Sequence, residues 1–529
     1  MQITLLSRHE IETTRFLAGF LSRKPVIFRR SQIRNHLFSA MPRSLDSPIT
    51  RSNAFLLIFL VSFAWVACKD SVSPRIYPPE LSAPAHMGAI VDREFTQPLQ
   101  VSDPQGLDVD LTFLGLPAWL EYFPGQYLLQ GTPGEQDVGS FDITVTADNG
   151  SRTVRRGITI TVYATESAFR EFEMQTHLVQ SLSTITPGMR GASMAVIDHS
   201  GSLHTAFAGD MGPDQTHLLL DKESMFRIAS VTKPMTTALI LKLVDDGLIG
   251  LDDILLDHYS TPLPNAGSMT FRQMLSHTAG VFDHLNSNAF WGHSSFTPTK
   301  VWSVDELVQF AVQDGPRFSP GTGYGYSNTA FCVLGAVVEE VTGLTLSEAY
   351  EQMLFEPMEL EHIVYDDFST ASNTIPGLAL NHRTYEYHLS AAAAAGAMAA
   401  SPSDVASFGW QLYGGRYLSG SLTDAMSVNI GARHGGQNYG LGTRIWTAGG
   451  IRHHGHTGTL MNYRSILMYV PGSDLSIAIH AHDTHNNWFN LVDDLFVYVM
   501  ENFDHAGMPP IADIREFSLE RVEQYMTED

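Results

Sequence analysis

Cysteine is almost absent from this chain: 529 residues carry two, Cys68 and Cys332. Two cysteines exclude a disulfide framework, and they exclude a zinc site built on thiolates. Positive charge is also short, with 32 Lys+Arg against 56 Asp+Glu and a formal net charge of −24. Residues 1–40 hold seven Lys/Arg against Glu10 and Glu12, so the remaining body carries −29. An acidic body of that size lacks the basic footprint of a nucleic-acid binder and favours solubility. Long apolar runs are lacking too. The run Ala54–Ala67 (AFLLIFLVSFAWVA) is short of the roughly 20 residues a spanning helix needs. What is present is an ordinary globular composition, 44% hydrophobic and 17% charged, at a length that predicts two to four domains.

The apolar run follows Arg43 and Arg51 and fits the h-region of a signal peptide. Val66-Ala67-Cys68 resembles a bacterial lipoprotein signal, with Trp65 where leucine is usual. That resemblance implies lipidation of Cys68 and a lipid-anchored protein of the bacterial cell envelope, periplasmic or surface-exposed; plain secretion is the alternative. Signal peptides begin near the initiator, and Met41 opens a stretch of signal length. Residues 1–40 are therefore expected to be a non-native extension, 41–67 the signal and 68–79 a tether.

From 80 to 163 the pattern is all-β. Phe141, Ile143 and Val145 alternate with polar residues, as do Ile158, Ile160 and Val162. Turn signals at 103–106, 132–134 and 148–150 separate the runs, predicting a small β-sandwich. Gly115-Leu-Pro-Ala-Trp119-Leu and Gly131-Thr-Pro resemble the Ig-like and cadherin-like domains of bacterial surface proteins. Asp108 and Asp110 read as solvated strand edges rather than calcium ligands, and the domain as a spacer. From 164 to 505 strands stand at both ends with helices between, predicting an antiparallel sheet flanked by helices plus a helical subdomain. Residues 506–529 form a polar, amphipathic tail. The fold class is thus multidomain, an all-β sandwich followed by an α/β domain.

Three motifs carry chemistry. Ser230-Val-Thr-Lys233 is the single S-x-x-K in the chain and precedes an apolar helix expected to end near Asp246. Pro234 fits only a first turn, so Ser230 is expected at the helix N-terminus with Lys233 on the same face. Burial against Ala238 to Leu243 would lower the lysine pKa and let it take the serine proton. A capping serine with a surface lysine is the plainer reading. Tyr326-Ser-Asn328, the single Y-x-N, lies between a glycine-rich loop and a helix over 329–341. A phenol relays protons and an amide binds a carbonyl; a loop tyrosine with Asn328 as helix cap is the alternative. His456-Thr457-Gly458, the single [KH]-T-G, is followed by Thr459 and a predicted strand. Its glycines would let a substrate backbone lie along a sheet edge, and His456 offers a polar or cationic group.

In that order the three motifs resemble the serine β-lactamase and D-alanyl-D-alanine carboxypeptidase superfamily, particularly its class C-like branch. Leu275-Ser-His277-Thr-Ala-Gly280 and Gly396-Ala-Met-Ala-Ala-Ser-Pro-Ser-Asp404 add to the resemblance. It implies that Ser230 is acylated while Lys233 and Tyr326 shuttle its proton. Asn328, His456, Thr457 and Gly458 would bind substrate, and the N–H groups of Ser230 and Thr459 would form the oxyanion hole. His456 stands where class C β-lactamases carry lysine, which turns the reading toward peptidase or esterase and makes carboxylate recognition there pH-dependent. A histidine-rich rival, His480-Ala-His482-Asp483-Thr-His485, departs from the metallo-β-lactamase pattern H-x-H-x-D-H, because Thr484 stands where the aspartate belongs. No metal or cofactor is expected. Cys332 reads as a small buried apolar residue.

The functional expectation is an acyl-enzyme serine hydrolase acting on small D-amino-acid peptides or amides. A carboxylesterase is the alternative, and a non-hydrolytic penicillin-binding or surface adhesion protein is the alternative from another class.

Overall fold

The computed structural model describes residues 76–503 apart from 211–218, 366–377, 380–381, 384–387, 429–431, 435–436, 449–450, 461 and 484. The expected extension, signal peptide, Cys68, most of the tether and the 506–529 tail lie outside the described residues.

Alternation writes the first domain. In the strands Gly139–Asp148 and Thr153–Tyr163, Ile143, Val145, Ile158, Ile160 and Val162 are buried while their neighbours are less so. These strands pair with each other, with His86–Ile90 in parallel and with Asp110–Leu114 antiparallel, forming a four-stranded sheet. A three-stranded sheet (Phe95–Pro98, Leu128–Gly131, Leu120–Phe123) faces it across an apolar core. Trp119 packs edge-on against Phe95 and Phe141. This is the expected sandwich, and Asp108 and Asp110 are exposed on it.

The second domain is built on an eight-stranded sheet. Its order is Leu203–Gly209, Gly191–Ile197, Leu475–Ala481, Tyr463–Val470, Ile451–Leu460, Arg444–Ala448, Gln437–Tyr439 and Ala432–His434. Every pairing is antiparallel. Both faces are covered, so the strands read as apolar runs rather than strict alternation. On one face the helices Glu166–Thr184 and Trp488–Asn502 pack Met174, Leu178, Leu495 and Phe496 onto Met194, Val196, Ile466 and Ile477. On the other, Ala195, Ile197, Leu467 and Ala478 join the core of the helical region, which holds the helices Thr232–Asp245, Asn328–Thr342 and Pro402–Tyr413. The site forms where this helical region meets the sheet. Among the described residues no single helix is long and apolar enough to cross a membrane.

Candidate active site

Ser230 sits in a tight turn rather than in the α-helix proper. Ala229–Val231 forms a single 3₁₀ turn and the α-helix begins at Thr232, one step later than expected. Pro234 falls in its first turn, where the missing N–H breaks no helical bond. Ala229 has φ +48°, a left-handed conformation costly for a residue with a Cβ. Strain directly before the serine fixes how Ser230 leaves the short strand Phe226–Arg227.

Lys233 is fully buried, which removes the surface-lysine reading. Its Nζ donates to Ser230 Oγ at 3.0 Å, to Asn328 Oδ1 at 2.7 Å and to the Ala395 carbonyl at 2.8 Å. It also lies 4.8 Å from the Tyr326 ring centroid. A lysine can be buried in this way because every donor direction has an oxygen or a π face. The Ala395 carbonyl reaches it because small residues clear the way: a Cβ on Gly335 would come within 2.6 Å of Ala394 Cβ.

The Tyr326 loop enters the helix Asn328–Thr342 through Ser327, whose Oγ accepts from the Ala330 N–H at 3.1 Å. Ser327, not Asn328, is therefore the cap. That one-residue difference releases the Asn328 amide, whose Nδ2 donates to Asp283 Oδ2 at 2.9 Å while Oδ1 faces Lys233. His277 holds the loop from below. It is buried at φ +59°, its Nδ1 accepts from the Ser327 N–H at 3.2 Å, and its carbonyl accepts from Gly325 N–H at 2.9 Å. Its ring packs 4.2 Å from that of Tyr326.

Asp283 is thus a positioning residue. Its removal leaves a half-buried amide N–H without its carboxylate partner, a loss of about 1–3 kcal/mol. Asp283→Leu is expected to lower kcat by roughly 10- to 100-fold on that scale, and Asp283→Asn, which can still accept, to recover part of it. Steady-state kinetics on the pair checks this; equal rates for Leu and Asn would contradict it.

His456, Thr457, Gly458 and Thr459 lie inside the strand Ile451–Leu460 rather than ahead of it. Pairing with Arg444–Ala448 ends at Arg444↔Gly455. Among the described residues His456 to Thr459 then pair on one side only, with Arg464–Leu467. The serine turn packs on the face of this strand: a Cβ on Gly458 would stand 2.1 Å from the Ile228 carbonyl, which also accepts from Ser465 Oγ at 2.6 Å. Glycine at 458 is what lets strand and turn meet.

Of the polar and cationic roles open to His456, its surroundings favour the polar one. The ring is fully buried, its Nδ1–H donates to the Thr457 carbonyl at 2.6 Å, and Nε2 accepts from the Tyr439 hydroxyl at 3.0 Å. Burial, then the positive charges of Arg444 and Lys233, hold its pKa well below 6.5. Burial pushes the Tyr439 phenol well up, so it remains a donor. Burial thus favours the neutral ring, a polar group that bridges Tyr439 and the Thr457 carbonyl. The second cation is Arg444, buried with its guanidinium 5.8 Å from the Tyr326 ring centroid.

Buried neutral histidines recur. Burial is the leading cause that lowers His277, His284 and His456, and it brings His454 and His480 to about 3 and His482 to about 4. A depressed histidine is neutral in the folded chain but takes a proton when unfolded, near 6.5. Stability is therefore present above that pH and is lost as pH falls, by up to about 1.4 kcal/mol per unit for each group. Urea unfolding should show a steep loss of stability from pH 6.5 toward the His482 value of about 4. A flat profile over that window would contradict the burial.

The structure brings Ser230, Lys233, Asn328 and Tyr326 together and sets the His456–Thr459 strand against the serine turn. It does not assemble the histidine-rich rival. His480 and His482 flank the Phe226 ring inside the protein, His485 Nδ1 accepts from the Asn487 N–H, and among the described residues no group of three metal-ligating side chains converges. Cys332 is fully buried, with its thiol raised to about 12. Sequence reasoning missed Asp283, Arg444, Tyr439 and the Ala395 carbonyl. Asp283 stood three residues beyond a noted motif, and Arg444 was legible only as a lone arginine before the last strands.

A family model described as Beta-lactamase matches residues 173–498, more than half of the chain. The chain belongs to the β-lactamase family. Ahead of its β-lactamase-family domain, a model described as "Putative Ig domain" matches residues 78–163. Among curated relatives of this family member, penicillin-binding protein 4* of Bacillus subtilis is 28% identical over 140 residues, 26% of this chain and 30% of that protein. Esterase EstB of Burkholderia gladioli is 28% identical over 182 residues, 31% of this chain and 45% of that protein. The carboxypeptidase/endopeptidase AmpH of Escherichia coli is 24% identical over 183 residues, 34% of this chain and 46% of that protein. The chain thus spans less than half the length of each. The D-amino acid amidase of Ochrobactrum anthropi SV3, solved with D-phenylalanine, superposes with a TM-score of 0.56 at 22% identity, covering 62% of this chain and 99% of that one. This likeness shows the fold.

Proposed function

We propose that this chain is a serine hydrolase that works through an acyl-enzyme, with D-amino-acid amides and peptides as its substrate class. The observation that carries the reading is Lys233, buried and held at 3.0 Å from Ser230 Oγ by Asn328 and Ala395. Ser230 Oγ attacks the substrate carbonyl carbon as its proton moves to Lys233 Nζ, the lysine being in its neutral amine form for this step, and that proton then passes through Tyr326 to the departing amine. Water then repeats the sequence in reverse and frees the serine. The N–H groups of Ser230 and Thr459 stabilise the oxyanion, an interaction worth about 3–4 kcal/mol per donor. Asn328 receives the substrate amide, whose backbone lies along the open edge at Thr457 and Gly458. The likeness in fold to a D-amino acid amidase supports the substrate class.

Arg444 takes the role that His456 cannot. With Lys233 Nζ engaged by three oxygens, Arg444 is the cation placed beside Tyr326 to meet a substrate carboxylate. Arg444→Gln is expected to raise KM about 10- to 100-fold for peptides ending in a carboxylate and to spare neutral amides. Equal losses on both would contradict the assignment.

A second reading, esterase, uses the same atoms and is supported by the likeness to esterase EstB of Burkholderia gladioli, 28% identical over 182 residues. Kinetics on matched D- and L-amino-acid amides, a p-nitrophenyl ester and a penicillin separate the two. D-selective amide turnover supports the proposal, ester turnover alone transfers it to the esterase, and turnover of none contradicts both. Anchoring at the cell envelope through Cys68 belongs to the same proposal, supported by the apolar run that precedes it. Loss of membrane fractionation in Cys68→Ala is the expected result.

A further inference from the structure

One of the three oxygens on Lys233 comes from a segment with no polar side chain of its own. Residues 391–395 are consecutive alanines, and the Ala395 carbonyl stands 2.8 Å from Lys233 Nζ. They end one 3₁₀ turn, Leu389–Ala391, and make up the next, Ala393–Ala395. Ala393 is held at φ +39°, in the left-handed region that a residue with a Cβ avoids. Alanine side chains cannot fix where these carbonyls point.

Two buried side chains from other elements do so. At the start of the run His284 Nε2–H donates to the Ala391 carbonyl at 2.8 Å, and its Nδ1 accepts from the Thr329 hydroxyl at 2.9 Å. At the end of the run Thr236 Oγ1 donates to the Ala394 carbonyl at 2.5 Å. Thr236 is fully buried on the helix Thr232–Asp245, three residues beyond Lys233.

A helical threonine commonly turns its hydroxyl back to the carbonyl four residues earlier. Thr237 does this, donating to the Lys233 carbonyl at 2.8 Å. For Thr236 the corresponding oxygen, on Thr232, is 3.3 Å away, farther than that of Ala394. A hydroxyl has one hydrogen, and here it goes to the nearer acceptor. The Tyr350 hydroxyl, 2.6 Å from Thr236 Oγ1 and also fully buried, is then the donor to Thr236. The peptide group is planar, so fixing the Ala394 carbonyl leaves only φ and ψ of Ala395 to aim the next one.

We propose that Thr236 is a positioning residue for the catalytic base, its hydroxyl holding the alanine turn so that the Ala395 carbonyl meets Lys233 Nζ. The proposal rests on the reading of Lys233 as the base for Ser230. Small displacements of a catalytic group are costly, on the order of 100-fold for 1 Å.

The test compares hydroxyls in one buried cluster. Thr236→Val keeps the shape and loses the donor, and Thr236→Ser keeps the donor. Thr236→Ala loses the donor and also relieves any crowding of the Ala394 oxygen by a methyl group. Tyr350→Phe removes a neighbouring hydroxyl but leaves Thr236 its bond to Ala394. Each full-length variant is measured for Tm and for kcat/KM across pH with p-nitrophenyl acetate, an activated ester that both the amide and the ester readings turn over. Ser230→Ala is the blank.

Thr236→Val and Thr236→Ala should each lose about 10-fold or more in kcat/KM. Their acid limb should move about half a pH unit lower, because a carbonyl on Nζ favours the charged amine and is displaced. The other titratable groups around Lys233, namely Tyr326, His277, His284, Cys332 and His456, are the same in every variant. Thr236→Ser should recover most of the rate and the parent limb. Tyr350→Phe should lower Tm and keep the parent rate and limb. Parent rate and limb in both Thr236→Val and Thr236→Ala overturn the proposal. So does a Tyr350→Phe protein that shifts as far as they do, since the effect would then follow from packing alone. Ester turnover that persists in Ser230→Ala, or none by the parent, overturns instead the reading of Ser230 and Lys233, and the proposal with it.

Discussion

Ser230→Ala is expected to lower kcat by roughly 10⁴-fold or more, the scale for removing a covalent nucleophile whose partners act as a unit. KM should change little, because the hydroxyl is spent on the transition state rather than on uniform binding. Stability should also change little. Ser230 is half-buried, and Lys233 keeps Asn328 Oδ1 and the Ala395 carbonyl as acceptors when the hydroxyl is lost. A variant that is folded and inactive is the expected result; residual activity within 10-fold of the parent on a purified sample would contradict it.

Lys233→Ala is the second large effect, and it differs in kind. As base the lysine is expected to contribute about 10²- to 10⁴-fold to kcat. Its side chain is also structural. Removing it leaves the Asn328 and Ala395 oxygens without their buried donor, at about 1–3 kcal/mol each, and opens a cavity between the helices. Lys233→Ala should therefore lose both activity and several degrees of Tm, whereas Ser230→Ala loses activity alone. Thermal melts beside kinetics separate the two. A Lys233→Ala protein as stable as the parent would contradict the three-oxygen clamp.

Much of the fold was legible because its signals are local. Period-2 burial in Gly139–Asp148 and Thr153–Tyr163 follows from a sheet with one covered face, and strands at both ends of the second domain followed from apolar runs. Ser230 and Lys233 were legible because a single helical turn brings them together. The alternative of Asn328 as helix cap could not be settled from the sequence, since serine and asparagine stand side by side at 327 and 328 and both cap well. Only the bond from Ser327 Oγ to Ala330 decides between them. The charge on His456 could not be read, because its neutrality comes from burial beside Arg444, a strand away. The Ala395 carbonyl had no signal at all, since a backbone oxygen leaves no trace in residue type.

These buried details also bear on the alternative of a decayed, non-hydrolytic domain. A site without chemistry has no need to hold Asn328 between Asp283 and a buried lysine, a costly arrangement for stability alone.

The central claim is that Ser230 becomes covalently acylated. Incubation with a slowly released substrate, a penicillin or an activated D-amino-acid ester, followed by acid quench and peptide mass spectrometry, tests it directly. The account predicts one acyl adduct, mapped to Ser230 and absent from Ser230→Ala. An adduct on another residue, or turnover that persists in Ser230→Ala, would contradict it.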